Sequence, residues 1–322
     1  MAREIFIKIT AVLGFLLGGV TGAEAELFKF VIIGDMPYNK TQAFRLENDI
    51  APIIAAGDFP FIIHVGDFKG GGVDCTDDDL TGAFEKIMGL HSAPVFYTPG
   101  DNDWTDCDRQ GLSNPVSEIA RLNRLREIFF GKLPNLGHDW RSKRQKYFPE
   151  NFMWRYGGVQ FVTLHVVGTN NGRIEINNDD KFQAVALVEA RDRSNAQWLK
   201  KAFAAAATAK ALVVAMHADI TRTRWSQPCN EHQTEKCDAF AAVRAQLRAG
   251  AEALGKPVLV AHGDSGPFCM DREFGGENAP KLWRLNGGGD YVMDAAIVVV
   301  RNASEPFMVY RLLTGSPLAS IC

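Results

Sequence analysis

The sequence predicts an α/β protein, and three observations carry that prediction. Apolar, β-branched runs alternate with stretches of helical periodicity; three of the N-terminal runs end in Gly-Asp; and two C-terminal runs end in His. A chain of 322 residues, 46% hydrophobic and 23% charged, has the composition of an ordered globular protein, which excludes disordered and fibrous classes. Its net charge of -3 offers no electrostatic footprint for nucleic acid or for an anionic membrane.

In chain order, Arg3 and Lys8 lead into an apolar run from Ile9 to Val20, and Ala23-Glu24-Ala25 supplies a small-x-small cleavage site. That pattern reads as a secretory signal peptide over residues 1–25, cleaved near Ala25, with 26–322 as one exported domain, periplasmic or secreted. The run is shorter than the roughly 20 apolar residues of a membrane span and is rich in Gly. Leu27 to Ile33 is then the first strand, ending in Gly34-Asp35. Thr41 to Ala56 reads as a helix stopped at Gly57, Pro60 to Val65 as a strand ending in Gly66-Asp67, and Asp79 to Leu90 as a helix after an Asp77-Asp78 start. Pro94 to Pro99 ends in Gly100-Asp101. The intervals between these Asp residues suit βαβ units, whose right-handed crossovers make the strands parallel and bring the three carboxylates to one sheet edge.

The second half repeats the design with His. Phe152 to Tyr156 and Val159 to Val167 flank the hairpin signal Gly157-Gly158. Trp198 to Lys210 reads as a helix after Ser194-Asn195, and the strand Ala211 to Met216 ends in His217. Asp238 is expected to cap a helix running to Leu254, and the strand Val258 to Ala261 ends in His262-Gly263-Asp264. Tyr291 to Val300 is expected to pair with Phe307 to Leu313, while Lys132 to Lys146 and Arg222 to Cys237 are polar insertions placed to rim a site.

Six cysteines form an even set, and an exported protein keeps such sets oxidised. Of the 15 pairings open to six cysteines, we favour Cys75 with Cys107, Cys229 with Cys237 and Cys269 with Cys322. No paired CxxC spacing marks a thiolate zinc site.

Ligand sites in open α/β sheets lie beyond the carboxyl ends of the strands. Asp35, Asp67, Asp101, Asp264, His217 and His262 all fall there. Several carboxylates held close together repel one another unless cations lie among them. Carboxylate oxygens with imidazole nitrogens suit Mn, Fe, Zn or Mg, and a pair of such ions lowers the pKa of a bound water and neutralises charge developing on phosphoryl oxygens. The chemistry indicated is phosphoester hydrolysis.

The blocks Ile33-Gly34-Asp35, Val65-Gly66-Asp67, Pro99-Gly100-Asp101-Asn102-Asp103-Trp104, Met216-His217 and Ala261-His262-Gly263-Asp264 resemble, in order, the five blocks of the calcineurin-like metallophosphoesterases. The resemblance runs from about Phe30 to Asp264 and implies a four-layer αββα sandwich of two mixed sheets flanked by helices. It also implies two divalent ions. Asp67 would bridge them, Asp35 and Asp264 would complete one site, and Asp101, His217 and His262 the other.

Four positions depart from the family. Pro37 stands where a metal-binding His is frequent, Asp101 replaces an Asn ligand, Asn102 replaces the catalytic His, and Asp264 replaces the last His. The richer carboxylate content favours Mn, Mg or Fe over Zn. Asn102 would orient the phosphoryl group, and solvent or Asp103 would assist the leaving group. The expected activity is hydrolysis of a small phosphate monoester or diester; the alternative is a catalytically impaired protein of the same fold acting as an exported binding or envelope protein. A purely structural calcium site is disfavoured by the two His. His64 and His165, inside strand runs, read as core or supporting residues, and Lys69, Arg109 and Arg173 as surface charges.

Overall fold

The computed structural model describes residues 26–289, 292–319 and 321–322; the signal-peptide segment 1–25 lies outside them. Among the described residues, twelve strands form two sheets. In chain order they are β1 (Glu26–Ile33), β2 (Ile62–His64), β3 (Val95–Tyr97), β4 (Lys143–Arg144), β5 (Phe152–Tyr156), β6 (Val159–Thr163), β7 (Leu212–Ala215), β8 (Val258–His262), β9 (Cys269–Asp271), β10 (Leu282–Asn286), β11 (Ala296–Arg301) and β12 (Phe307–Arg311). One sheet has the order β12-β11-β1-β2-β3 and the other β4-β5-β6-β7-β8-β10-β9. Strands β1, β2 and β3 run parallel, as do β6, β7, β8 and β10, while antiparallel partners close the edges. Both sheets are therefore mixed, as expected.

Period-two alternation decides how the layers stack. Phe28, Phe30 and Ile32 of β1 face the second sheet, whereas Val31 and Ile33 face Ile50 and Ile54 of the outer helical layer. On β7, Val213 and Ala215 turn inward, and Leu212 and Val214 meet Trp198, Leu199 and Leu247. The interior is aromatic: Phe61 lies edge-on to Phe161 at 4.9 Å, and Phe96 stacks on Trp154 at 3.7 Å. Burying each such side chain contributes about 1.5–3 kcal/mol. The result is helix, sheet, sheet, helix.

Local chemistry explains most boundaries. Thr76 caps the helix Asp77–Met88 in a reciprocal box with Asp79. Gly157 and Gly158, both at positive φ, make the tight turn between β5 and β6. Gly255 ends the helix Ala241–Leu254 in the left-handed conformation. Three expectations need correction. The helix expected over Thr41 to Ala56 is broken by a π-turn at Leu46–Ile50, just before Pro52, which has no N–H to continue the ladder. The helix expected from Trp198 begins at Lys181, capped by Asp180, because Asn195 is drawn into tertiary bonds with Asn151 and the His165 carbonyl and is no cap. Asp238 lies ahead of its helix, accepting from the Phe240 amide and pairing with Arg244.

All three favoured disulfides are present: Cys75–Cys107, Cys229–Cys237 and Cys269–Cys322.

Candidate metal centre

Each strand that carries a Gly-Asp delivers it at its C-terminal end, and β7 and β8 deliver His217 and His262 from the facing sheet. The backbone there is unusual. Asp35, Asp67 and Asp264 have φ of 53°, 57° and 66°, a left-handed conformation that side chains adopt at a cost and that clusters at functional sites. Gly66 precedes one of them because any Cβ there would lie 2.3 Å from the Gly100 nitrogen; a Cβ on Gly100 would lie 2.0 Å from Asp67 Oδ1.

The structure brings five of the six expected ligands together, in two sets that share His217: Asp35, Asp67 and His217, and Asp101, His217 and Asp264. His217 Nδ1 faces the Val65 carbonyl at 2.9 Å and so must carry the proton, leaving Nε2 toward the carboxylates. Nε2 lies 2.8 Å from Asp101, 3.5 Å from Asp67 and 3.9 Å from Asp264. Neighbouring and opposite ligands on an octahedral ion with bonds of about 2.1 Å are separated by about 3.0 and 4.2 Å. The donor set therefore fits hard divalent cations in both spacing and chemistry.

Electrostatics give the same indication. Burial pushes the Asp35 carboxyl up to about 6, against the pull of His217. Burial, reinforced by the charge of Asp101, also raises Asp67 and Asp264 well above the usual carboxylate range. Asp101 goes the other way: against its burial, the hydrogen bond and charge of His217 hold it down. His217 is raised, because the charge of Asp67 and the bond to Asp101 overcome its burial. Carboxylates packed this closely need protons or cations.

Neighbouring side chains orient the ligands. Asn102 donates to Asp67 from its backbone N–H at 3.0 Å and from Nδ2 at 2.6 Å. Tyr38, which sequence reasoning missed, donates to Asp67 at 2.8 Å and lies 3.3 Å from Asp35, one residue beyond the unexpected Pro37. Thr169, also missed, donates to Asp101 at 2.8 Å from a turn in which Thr169, Asn170 and Asn171 are all left-handed. The Gly168-Thr169-Asn170-Asn171-Gly172 string was its signal, since Asn tolerates that conformation and Gly brackets it.

Two expected site residues lie apart from these ligand sets. His262 joins neither set: its Nδ1 bonds the Gly263 carbonyl, and its Nε2 faces Arg284 at 3.3 Å and Asp219 at 4.0 Å. Asp103 is fully buried, and its oxygens accept from the amides of Asp67, Phe68 and Gly100 and from the Tyr97 hydroxyl. It anchors the Asp67 loop and is not placed to serve a leaving group. Among the cations read as surface charges, Lys69 and Arg173 are buried, Lys69 capping the carbonyls of Gly70 and Val73 and Arg173 pairing with Asp192. His64 and His165 are buried, as expected of supporting residues.

Above the centre opens a cleft of about 610 Å³ with Asp101 and Asp264 on its lining, together with Arg109, Arg222, Arg224 and Trp225.

Comparison with known proteins follows the same lines. The family model of the calcineurin-like phosphoesterases matches residues 28–263. The structure of PhoD superposes with a TM-score of 0.53 at 13% identity, covering 94% of this chain and 73% of that one. GAP50, the anchor in the inner membrane complex of Plasmodium, gives a TM-score of 0.49 at 13% identity, covering 90% and 86%. No curated protein matches the sequence. With the family model spanning most of its length and the five blocks meeting at the strand ends, the chain belongs to the calcineurin-like phosphoesterase family.

Proposed function

We propose that this protein is an exported, metal-dependent hydrolase of small phosphate monoesters or diesters, whose ions are held by Asp35, Asp67, Asp101, His217 and Asp264. The observation that carries the reading is the pair of ligand sets sharing His217, whose buried carboxylates lie close enough to need protons or cations among them. Two sets support two ions, with Mn, Mg or Fe fitting the donors best. His217, having one ring nitrogen free of the backbone, serves only one of them. Bound ions supply Lewis acidity toward the phosphoryl oxygens and lower the pKa of an attacking water.

The protein's own groups do the rest. Asp67 holds its orientation through three donors, two from Asn102 and one from Tyr38. The Asn102 amide has a second N–H beyond the one given to Asp67, and it is the donor available to a phosphoryl oxygen. Neither Asn102 nor the enclosed Asp103 can give a proton to the departing alcohol. The leaving group then departs as an anion or takes its proton from water, which favours aryl esters over alkyl esters.

Export is supported by the three disulfides and by the leader pattern of the sequence. No helix among the described residues is long and apolar enough to cross a membrane. We take residues 26–322 as one domain, in which both sheets share a single aromatic core.

The test is direct. Mn-loaded protein is expected to hydrolyse a nitrophenyl phosphate monoester or diester, and Asp67→Asn to remove both turnover and Mn binding by calorimetry. Metal binding without turnover across a broad panel would instead support the exported binding protein, a reading favoured by Pro37 and Asn102 alone.

A further inference from the structure

The cleft over the centre carries a pair of positive charges that the chemistry at phosphorus does not use. Arg222 and Arg224 line it on the same wall as Trp225, and both are exposed. Neither has a carboxylate partner among the described residues. Arg272, also exposed, has a Glu305 oxygen at 2.8 Å, and the exposed Arg141 and Arg248, which also have no carboxylate partner among the described residues, do not line this cleft; what distinguishes Arg222 and Arg224 is their place on it. Arg109, on the same cleft, is already paired with Asp106 and Glu175, each at 2.8 Å. Unpaired guanidiniums beside an acidic floor are the one part of the lining that attracts a second anion.

Their segment is held in shape. The Arg222 amide donates to the Asp219 carbonyl at 3.0 Å, and Thr223 Oγ1 both accepts from the Trp225 amide at 3.2 Å and donates to its carbonyl at 3.0 Å. At the far end of the insertion, the Cys229–Cys237 disulfide and the Asp238–Arg244 pair tie the chain to the body. A guanidinium on such a turn gives up less freedom on binding than one on a loose loop. The volume of about 610 Å³ is that of a pocket for an organic molecule, in the general range of about 300–1,000 Å³, and far exceeds a lone phosphate.

We infer that the substrate carries a second anionic group on its leaving portion, received by Arg222 and Arg224 while the scissile phosphoryl lies over Asp101 and Asp264. Trp225 lines the cleft beside them, an aromatic surface for the ring or chain joining the two anions. Phosphate and carboxylate both fit the guanidinium fork, phosphate carrying the greater charge. This inference deepens the phosphoesterase reading and rests on it for the reaction, but not for the binding.

Matched compounds separate the two. Turnover of phenyl phosphate, 4-carboxyphenyl phosphate and 1,4-phenylene bisphosphate by Mn-loaded protein is compared with turnover by the Arg222→Gln/Arg224→Gln variant. Calorimetry with phenylphosphonate and 1,4-phenylenediphosphonate, which cannot be hydrolysed, reads binding alone. The native protein is expected to favour the bisphosphate over phenyl phosphate by about tenfold or more in KM, with the carboxylate between them, and to show the same order for the phosphonates. In the double variant the ratio falls toward one. The charge-reversed Arg222→Glu/Arg224→Glu variant is expected to shift preference to 4-(aminomethyl)phenyl phosphate. Hydrolysis of all three esters with equal KM by native and variant proteins overturns the inference and leaves the phosphoesterase reading standing. Diphosphonate preference lost in the variant, without turnover of any ester, does the reverse.

Discussion

Asp67 has little freedom left. Glycines at 66 and 100 let the chain pass behind it, Asp103 holds its backbone N–H, and its two carboxylate oxygens receive Asn102 and Tyr38. The Gly-Asp pair was visible in the sequence because it ends an apolar run. What surrounds it was not, since side-chain direction is set by the packing of segments far apart in the chain: Tyr38 and Asn102 reach the same carboxylate from different strand ends. His262 shows the converse. Its position on β8 was legible, but its ring follows Arg284, which β10 brings alongside through pairing with β8.

Asn102→His restores a proton donor where the family has one and is expected to raise kcat for alkyl phosphates by about 100-fold, with a smaller gain for nitrophenyl phosphate. Equal gains for both leaving groups would count against a missing acid. Glu118 offers a test unconnected with metal. Its Oε1 has no hydrogen-bond partner among the described residues, and burial, with Asp108 and Asp179 nearby, pushes its carboxyl up to about 10 from 4.5. Between those values the folded chain holds a proton that the unfolded chain has lost, so Glu118 makes stability fall as pH rises through that window. Glu118→Gln has no proton to lose. Its melting temperature is expected to decline less than that of the native protein from about pH 5 to pH 9; parallel declines would show that Glu118 ionises without penalty.

At the level of elements, the strands were read well because apolar runs ending in Gly-Asp or His carry both a period and a stop. Helix starts were read less well. Ser194 and Asn195 look like caps in isolation, yet both lie within Lys181–Ala206, where Gln145 and Asn151 bind them from a neighbouring loop. The helix Glu118–Phe130, with a mixed polar surface, was not anticipated at all. Cysteine pairing was predicted in full, and one bridge supports the centre. Cys75–Cys107 joins the segment after Asp67 to the short 3-10 helix after Asp103, closing a span of 32 residues. In the chain-entropy account, a loop of that size is worth about 3–4 kcal/mol. Cys75→Ser/Cys107→Ser is expected to lose about that much in urea unfolding, and to bind Mn more weakly because Asn102 lies within the released segment. A loss below about 1 kcal/mol would show that packing alone fixes those loops.

For the molecule as a whole, the resemblance implied the two facing mixed sheets; composition and periodicity reached only the α/β class. The strands that carry the centre belong to two sheets whose inner faces share one aromatic core, so ligands from both halves of the chain meet at one end of the sandwich. Neither half holds a complete ligand set, because Asp35, Asp67 and Asp101 come from the first half of the chain and His217 and Asp264 from the second. The site is thus a property of the assembled sandwich, and that assembly is the central claim.

Anomalous diffraction from Mn-soaked crystals tests it most directly. The account predicts Mn peaks within about 2.0–2.6 Å of carboxylate oxygens of Asp67 and of His217 Nε2, absent in Asp67→Asn. Mn found elsewhere or not at all, with nitrophenyl phosphate hydrolysis surviving in Asp67→Asn, would contradict it.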